Sequence, residues 1–282
     1  MLKASPFVKR ILKEKNIDIK NIKGTGPNGR IIKRDLPFKE FQKDKKFFST
    51  KNIIPSQMRK AIAKKTSESF RDIPHFYLKI ESNVDKMIAL RKKINNTNVK
   101  INISFNDLLI KAIALAQLKN PKTCVSWIND KIIQYSKIDV SVAVAIDDGL
   151  ITPIIRDADK KGILEISNEM KRLTIKAKNG SLQSDEYIGG TISITNLGMF
   201  GISEFNAIIN SPQSCILAIG QAKKEPIIIN DKTKQATILK STLSADHRVL
   251  DGSVAAKFLK DFNDIIENPF EIWLNSKDMK LH

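Results

Sequence analysis

The chain has 282 residues, 41% of them hydrophobic, with 28% charged and a formal net charge of +18. That length and apolar share support one sizeable core plus a small module and exclude a wholly disordered protein. No run of about 18 apolar residues marks a membrane span, and the opening "MLKASPFVKRILKEK" alternates charge with apolar residues where a signal peptide has an unbroken apolar block, so a cytoplasmic protein with no membrane association is expected.

The charge is unevenly spread. Residues 1–52 hold 15 Lys+Arg against 5 Asp+Glu, and 39 of the 48 basic residues are Lys. Nucleic-acid recognition favours arginine and interleaved aromatic residues, so an acidic protein partner for the front segment is the better expectation and nucleic acid is not a partner. Cys124 and Cys215 stand 91 residues apart with no CxxC, which suggests core thiols, not a metal site or a disulfide. His75, in "IPHFYL", reads as a core or interface ring.

In chain order, residues 3–36 read as a very small module. Ser5 precedes Pro6 as a helix cap, Phe7, Val8, Ile11 and Leu12 follow at helical spacing, "GTGPNG" makes a loop and "RIIKRDL" a second short element. Residues 37–52 read as a charged linker, with Phe38, Phe47 and Phe48 suggesting partial packing. Residues 53–282 alternate helical and strand patterns. "NVDKMIALRKKI" predicts a helix capped by Ser82 and Asp85, and "FNDLLIKAIALAQLKNP" one with Leu108, Leu109, Ala112, Ile113 and Ala116 on its buried face. "DVSVAVAI" predicts one strand that turns at Asp148-Gly149 into "LITPII". A helix from Leu164 to about Lys178 follows, then strands at "TISIT", "SCILAIG", "EPIII" and "ATILKSTLS" and a final helix stopped by Pro269. The expected fold is mixed α and β, a mixed sheet covered by helices instead of a doubly wound one.

Two places suit chemistry. "SADHRVLDG" puts His247 at a strand-to-helix handover, where an imidazole takes a proton near pH 7, with Asp251 placed to cap the final helix. By itself this is equally a structural ring. "GGTISITNLGMFG" offers Ser193 or Thr195 as a hydroxyl donor to an oxyanion and Gly198 for close backbone approach.

"SADHRVLDG" resembles the HxxxDG signature of the dihydrolipoyl acyltransferases, core subunits of 2-oxo acid dehydrogenase complexes, and "MRKAIAKKTSES", "IPHFYL", "SFNDLLIKA", "DVSVAVAIDDGLITPIIRDAD" and "ENPFEIWL" follow in that family's order. "GGTISITNLGMFGISEFNAIINSPQSCILAIG" is most similar to the pyruvate-type, acetyl-transferring branch. The resemblance implies a chloramphenicol acetyltransferase-like, CoA-dependent acyltransferase domain behind a peripheral subunit-binding domain. It implies His247 as the base that deprotonates the thiol of CoA or dihydrolipoamide, Asp251 as an aid to site geometry, and Thr195 as oxyanion donor, where the family usually has serine. It implies no metal. It further implies a homotrimer whose sites pair residues of adjacent subunits and which builds a larger cage, with Arg10, Arg30, Lys33 and Arg34 docking the decarboxylase or the dihydrolipoyl dehydrogenase and Gly24, Gly26 and Gly29 shaping the loop between them. No "DKA" lipoyl-lysine turn occurs, so the lipoyl group is expected on another chain; a structural core of little catalytic importance is the alternative reading.

Overall fold

The structure, a computed structural model, describes residues 3–15, 22–36, 51–97, 102–229 and 231–274. The linker aromatics Phe38, Phe47 and Phe48 and the terminal His282 lie outside the described residues. The chain divides into two compact units, Met1–Ile54 and Pro55–His282.

In the first unit, helix α1 (Pro6–Lys15) starts where the Ser5 hydroxyl oxygen accepts the Val8 N–H at 3.3 Å. Val8 and Leu12 on its inner face meet Ala4, Ile31 and Leu36 in a core of five buried residues among those described. So small a core gains from backbone pairing: Ser5 N–H donates to Ile31 O and Ile31 N–H to Lys3 O. The loop between is held by Asp35, whose carboxylate accepts the N–H groups of Ile32 and Thr25, both at 2.9 Å, and the Thr25 hydroxyl. Those donors keep its carboxyl below the usual range, the Ile32 N–H contributing most. Gly24 is required here, since a Cβ would sit 2.4 Å from Gly29 O.

The second unit is built on a seven-stranded mixed sheet, with two further two-stranded pairs. After α2 (Gln57–Asp72) come β1 (His75–Asn83), α3 (Asp85–Thr97), α4 (Phe105–Lys119) and the hairpin of β2 (Val125–Ile128) and β3 (Lys131–Gln134). Next are β4 (Val140–Val142), β5 (Val144–Ile146), β6 (Gly149–Ile151), β7 (Ile154–Ile155), α5 (Ile163–Lys178), β8 (Ile192–Asn196), β9 (Cys215–Ile219), β10 (Lys223–Ile229), β11 (Lys232–Asp246), α6 (Gly252–Glu267) and α7 (Phe270–Leu274). The sheet order is β1-β11-β9-β8-β4-β7, with β10 beside the first half of β11; β8 is parallel to β4 and β9, the remaining pairs antiparallel. Alternation divides the strands cleanly. Val140, Val142, Ile192, Ile194, Leu217, Leu243 and Ala245 join the main core, while Ser141, Ser193, Thr242 and Ser244 are buried on the other face.

Three details differ from the sequence expectation. "DVSVAVAI" is two strands: β4 stays in the main sheet, and β5 leaves it to pair with β6, because Thr152-Pro153 interrupts the returning chain where proline has no N–H to donate. Ser82 does not cap α3; it is buried in β1 with its hydroxyl on Asn263, while Asn83 Oδ1 accepts the Asp85 N–H at 3.1 Å. Helix α4 is buried on every side from Asp107 to Gln117, not on one face, and begins with a reciprocal Ser104–Asp107 cap.

Candidate active site

His247 is the first residue beyond β11, whose register with β1 pairs Asp246 with His75. Its N–H donates to Pro74 O at 3.0 Å and its ring lies 4.5 Å from that of Phe76, tilted by 47°. The side chain is exposed. An imidazole braced on one side and open on the other is suited to taking a proton from an arriving group. The turn beneath it is closed by buried Asp246, whose carbonyl accepts the N–H of Leu250 at 2.9 Å and whose carboxylate accepts Arg248 Nη2 at 2.8 Å. That carboxylate holds the Arg248 guanidinium above its already high range. Arg248 lies 5.7 Å from the Trp127 ring and, with Lys65, Asp72 and Ser211, lines a polar recess of about 310 Å³. Asp246 and Arg248 carry no signal in the sequence beyond standing next to His247.

Asp251 occupies the N-cap position of α6 with extended backbone (φ −79°, ψ 155°), but its side chain makes no cap hydrogen bond and is exposed. The expected carboxylate cap is therefore absent.

Thr195 is half-buried near the end of β8. It shares a cross-strand row with Ala218 and Thr242, so it lies two strands from β11 and five residues back along it from His247. At ~4.8 Å per strand and ~3.3 Å per residue the two backbones are roughly 19 Å apart. One chain does not bring them together. Beyond Thr195, Asn196 Oδ1 accepts the Gly198 N–H at 2.8 Å, and Gly198 lets that turn approach the sheet, since a Cβ would fall 2.5 Å from Gly220 O. The alternative hydroxyl, Ser193, is fully buried and donates to Gln213 Oε1 at 2.5 Å, so it is committed inside the fold.

Other candidates resolve as packing. His75 accepts the Ile209 N–H on Nε2 at 3.0 Å, which leaves Nδ1 to donate to Ile73 O at 2.8 Å, a brace at the start of β1. Burial pushes the Cys124 and Cys215 thiols up to about 12, so neither is a nucleophile. In the first unit Arg10 and Arg30 are exposed, Lys33 lies 5.6 Å from the Phe7 ring centre, and Arg34 Nε donates to the Thr25 hydroxyl at 3.0 Å. Among the described residues no group of His, Cys, Asp and Glu is arranged to hold a metal ion, and no helix is long and apolar enough to cross a membrane.

Two family models match the chain: the 2-oxoacid dehydrogenases acyltransferase (catalytic domain) over residues 48–274 and the E3 binding domain over residues 2–36. The dihydrolipoyllysine-residue acetyltransferase component of the Rickettsia typhi pyruvate dehydrogenase complex is 46% identical over 94% of this chain and 67% of its own length. Its Zymomonas mobilis counterpart is 41% identical over 96% of this chain and 66% of its own. A solved structure of a probable dihydrolipoamide acetyltransferase from Listeria monocytogenes superimposes with a TM-score of 0.73 at 33% identity, over 82% of this chain and 97% of that one. The Azotobacter vinelandii dihydrolipoamide acetyltransferase superimposes with a TM-score of 0.77 at 25% identity, over 79% of this chain and 94% of that one. That enzyme's catalytic mechanism has been investigated at a serine, a histidine 52 positions later and an asparagine four positions beyond. With the catalytic-domain model covering most of its length and a binding domain ahead of it, this chain belongs to the acyltransferase family of the 2-oxoacid dehydrogenases.

Proposed function

We propose that this protein moves an acetyl group between dihydrolipoamide and CoA as the core subunit of a pyruvate dehydrogenase complex, with His247, Thr195 and Asp251 as its site residues. The observation that carries this reading is the spacing: Thr195, His247 and Asp251 stand as far apart as the serine, histidine and asparagine investigated in the Azotobacter enzyme. His247 takes the proton from the CoA thiol as its sulfur attacks the carbonyl carbon of the S-acetyl thioester. Thr195 donates its hydroxyl proton as a hydrogen bond to the oxygen that becomes negative in the tetrahedral intermediate. When that intermediate collapses the carbon–sulfur bond to dihydrolipoamide breaks, and the imidazolium returns its proton to the departing sulfur. No net proton is consumed, and no metal is needed. Asp251, in the turn after His247, serves geometry and exchanges no proton.

The wide separation of His247 and Thr195 within one chain supports a site shared between two copies, as in a cyclic trimer. Higher assembly into a cage is supported by the likeness to the cubic core of a pyruvate dehydrogenase complex, which superimposes with a TM-score of 0.77 at 25% identity. The 3–36 module, with Arg10, Arg30, Lys33 and Arg34, docks the decarboxylase or the dihydrolipoyl dehydrogenase, and the lipoyl group arrives on a chain segment outside these 282 residues. The test is acetyl transfer from acetyl-CoA to free dihydrolipoamide. His247→Ala is expected to lower kcat by about 10³-fold or more, as loss of a general base does; undiminished turnover sinks the mechanism.

A further inference from the structure

Asp246 and Arg248 flank His247 on either side and are joined to each other across it. Asp246 is 2% exposed; its Oδ1 accepts both the backbone N–H and Nε–H of Arg248 at 3.0 Å, and its Oδ2 accepts Nη2 at 2.8 Å. The main chain repeats the closure, since Asp246 N–H donates to Ser214 O at 2.8 Å and Asp246 O accepts the Val249 N–H at 3.2 Å. A forked, largely desolvated pair of this kind is rigid and nearly neutral as a unit. Removing either member leaves a net charge on a residue next to His247 in the chain.

We propose that Asp246 and Arg248 are positioning residues for His247, closing the turn that aims its imidazole against Phe76 and cancelling each other's charge beside it. The inference rests on the reading of His247 as the base. Loss of Arg248 leaves the Asp246 carboxylate uncompensated, which favours imidazolium and raises the pH at which His247 becomes neutral. Loss of Asp246 leaves the guanidinium, which disfavours imidazolium and lowers that pH. A merely structural role does not move the two in opposite directions. The other charged or titratable groups around the turn are His75 on β1, Lys65, Glu68 and the mutually paired Arg71 and Asp72 on α2, Asp130 in the β2–β3 hairpin, and Asp251 at the start of α6. All are unchanged between the variants, so differences isolate the pair.

The experiment measures carbethoxylation of His247 by diethylpyrocarbonate against pH, read by peptide mass on the full chain, beside the transfer assay. Relative to wild type, Arg248→Gln is expected to raise the midpoint by about half a unit or more and Asp246→Asn to lower it by a similar amount. Arg248→Lys restores the midpoint, yet kcat/KM at pH 7 stays roughly tenfold down because lysine lacks the fork. If Arg248→Gln does not fold, Asp246→Asn, nearly identical in shape, carries the test with Arg248→Lys. Midpoints that stay put or move the same way overturn the inference. A wild-type chain with opposed variant midpoints but no transfer activity overturns the acetyltransferase reading instead, and leaves the charge pairing supported.

Discussion

At Thr195 the chain keeps a hydroxyl and adds a methyl group relative to the serine of its relative. A β-branched residue suits a strand, where its χ1 is restricted, so the methyl helps hold the hydroxyl in one orientation. Thr195→Ser therefore retains the donor and is expected to stay within about threefold of wild-type kcat. Thr195→Ala removes it and is expected to lower kcat by about 10²–10³-fold with little change in KM, the size of effect seen when one oxyanion donor is lost. Steady-state kinetics with acetyl-CoA and dihydrolipoamide check both. The hydroxyl at 195 was legible from "TNLG", but its distance from His247 was not, since 52 residues of sequence separation say nothing about which ends of a sheet two residues occupy.

Among the elements, those whose apolar residues recur with a single period or form one short run were the readable ones. Helices α5 and α6 and strands β8 and β11 follow the periodicity of their sequences, β9 is such a run, and the strand-to-helix handover at His247 was visible on that basis. Helix α4 was readable as a helix but not as one buried all round, because elements pack around its whole circumference and a run such as Leu108–Ala116 then has no polar side to mark. Lys111 lies in that run, fully buried, with Nζ donating to Asp159 O at 2.6 Å and Lys161 O at 2.8 Å. It thereby anchors the loop between β7 and α5 to the core. Lys111→Met fills the space without the donors and strands those carbonyls, so a loss of about 2 kcal/mol or more is expected in urea unfolding of the full chain. The β4–β5 split escaped the sequence for a related reason, in that alternation continues unbroken while the partner strand is interrupted at Pro153.

For the whole molecule, the roughly 19 Å between the backbones of His247 and Thr195 makes catalysis, under the proposed mechanism, a property of the assembly. No pattern in a single chain encodes which neighbour completes a site, and so only the family resemblance pointed to it. Subunit mixing decides the matter. If, as proposed, a cyclic trimer builds each site from His247 of one copy and Thr195 of the next, His247→Ala and Thr195→Ala homotrimers are both impaired at every site. A trimer containing both kinds of subunit has one interface where an intact His247 meets an intact Thr195. Equal mixing by co-expression makes about three-quarters of the trimers mixed, which restores roughly a quarter of the wild-type sites. Transfer activity near that fraction, well above the sum of the two variants alone, is the expected result. Activity no higher than their average places both residues of each site in one chain, which the roughly 19 Å between their backbones does not allow without a rearranged sheet.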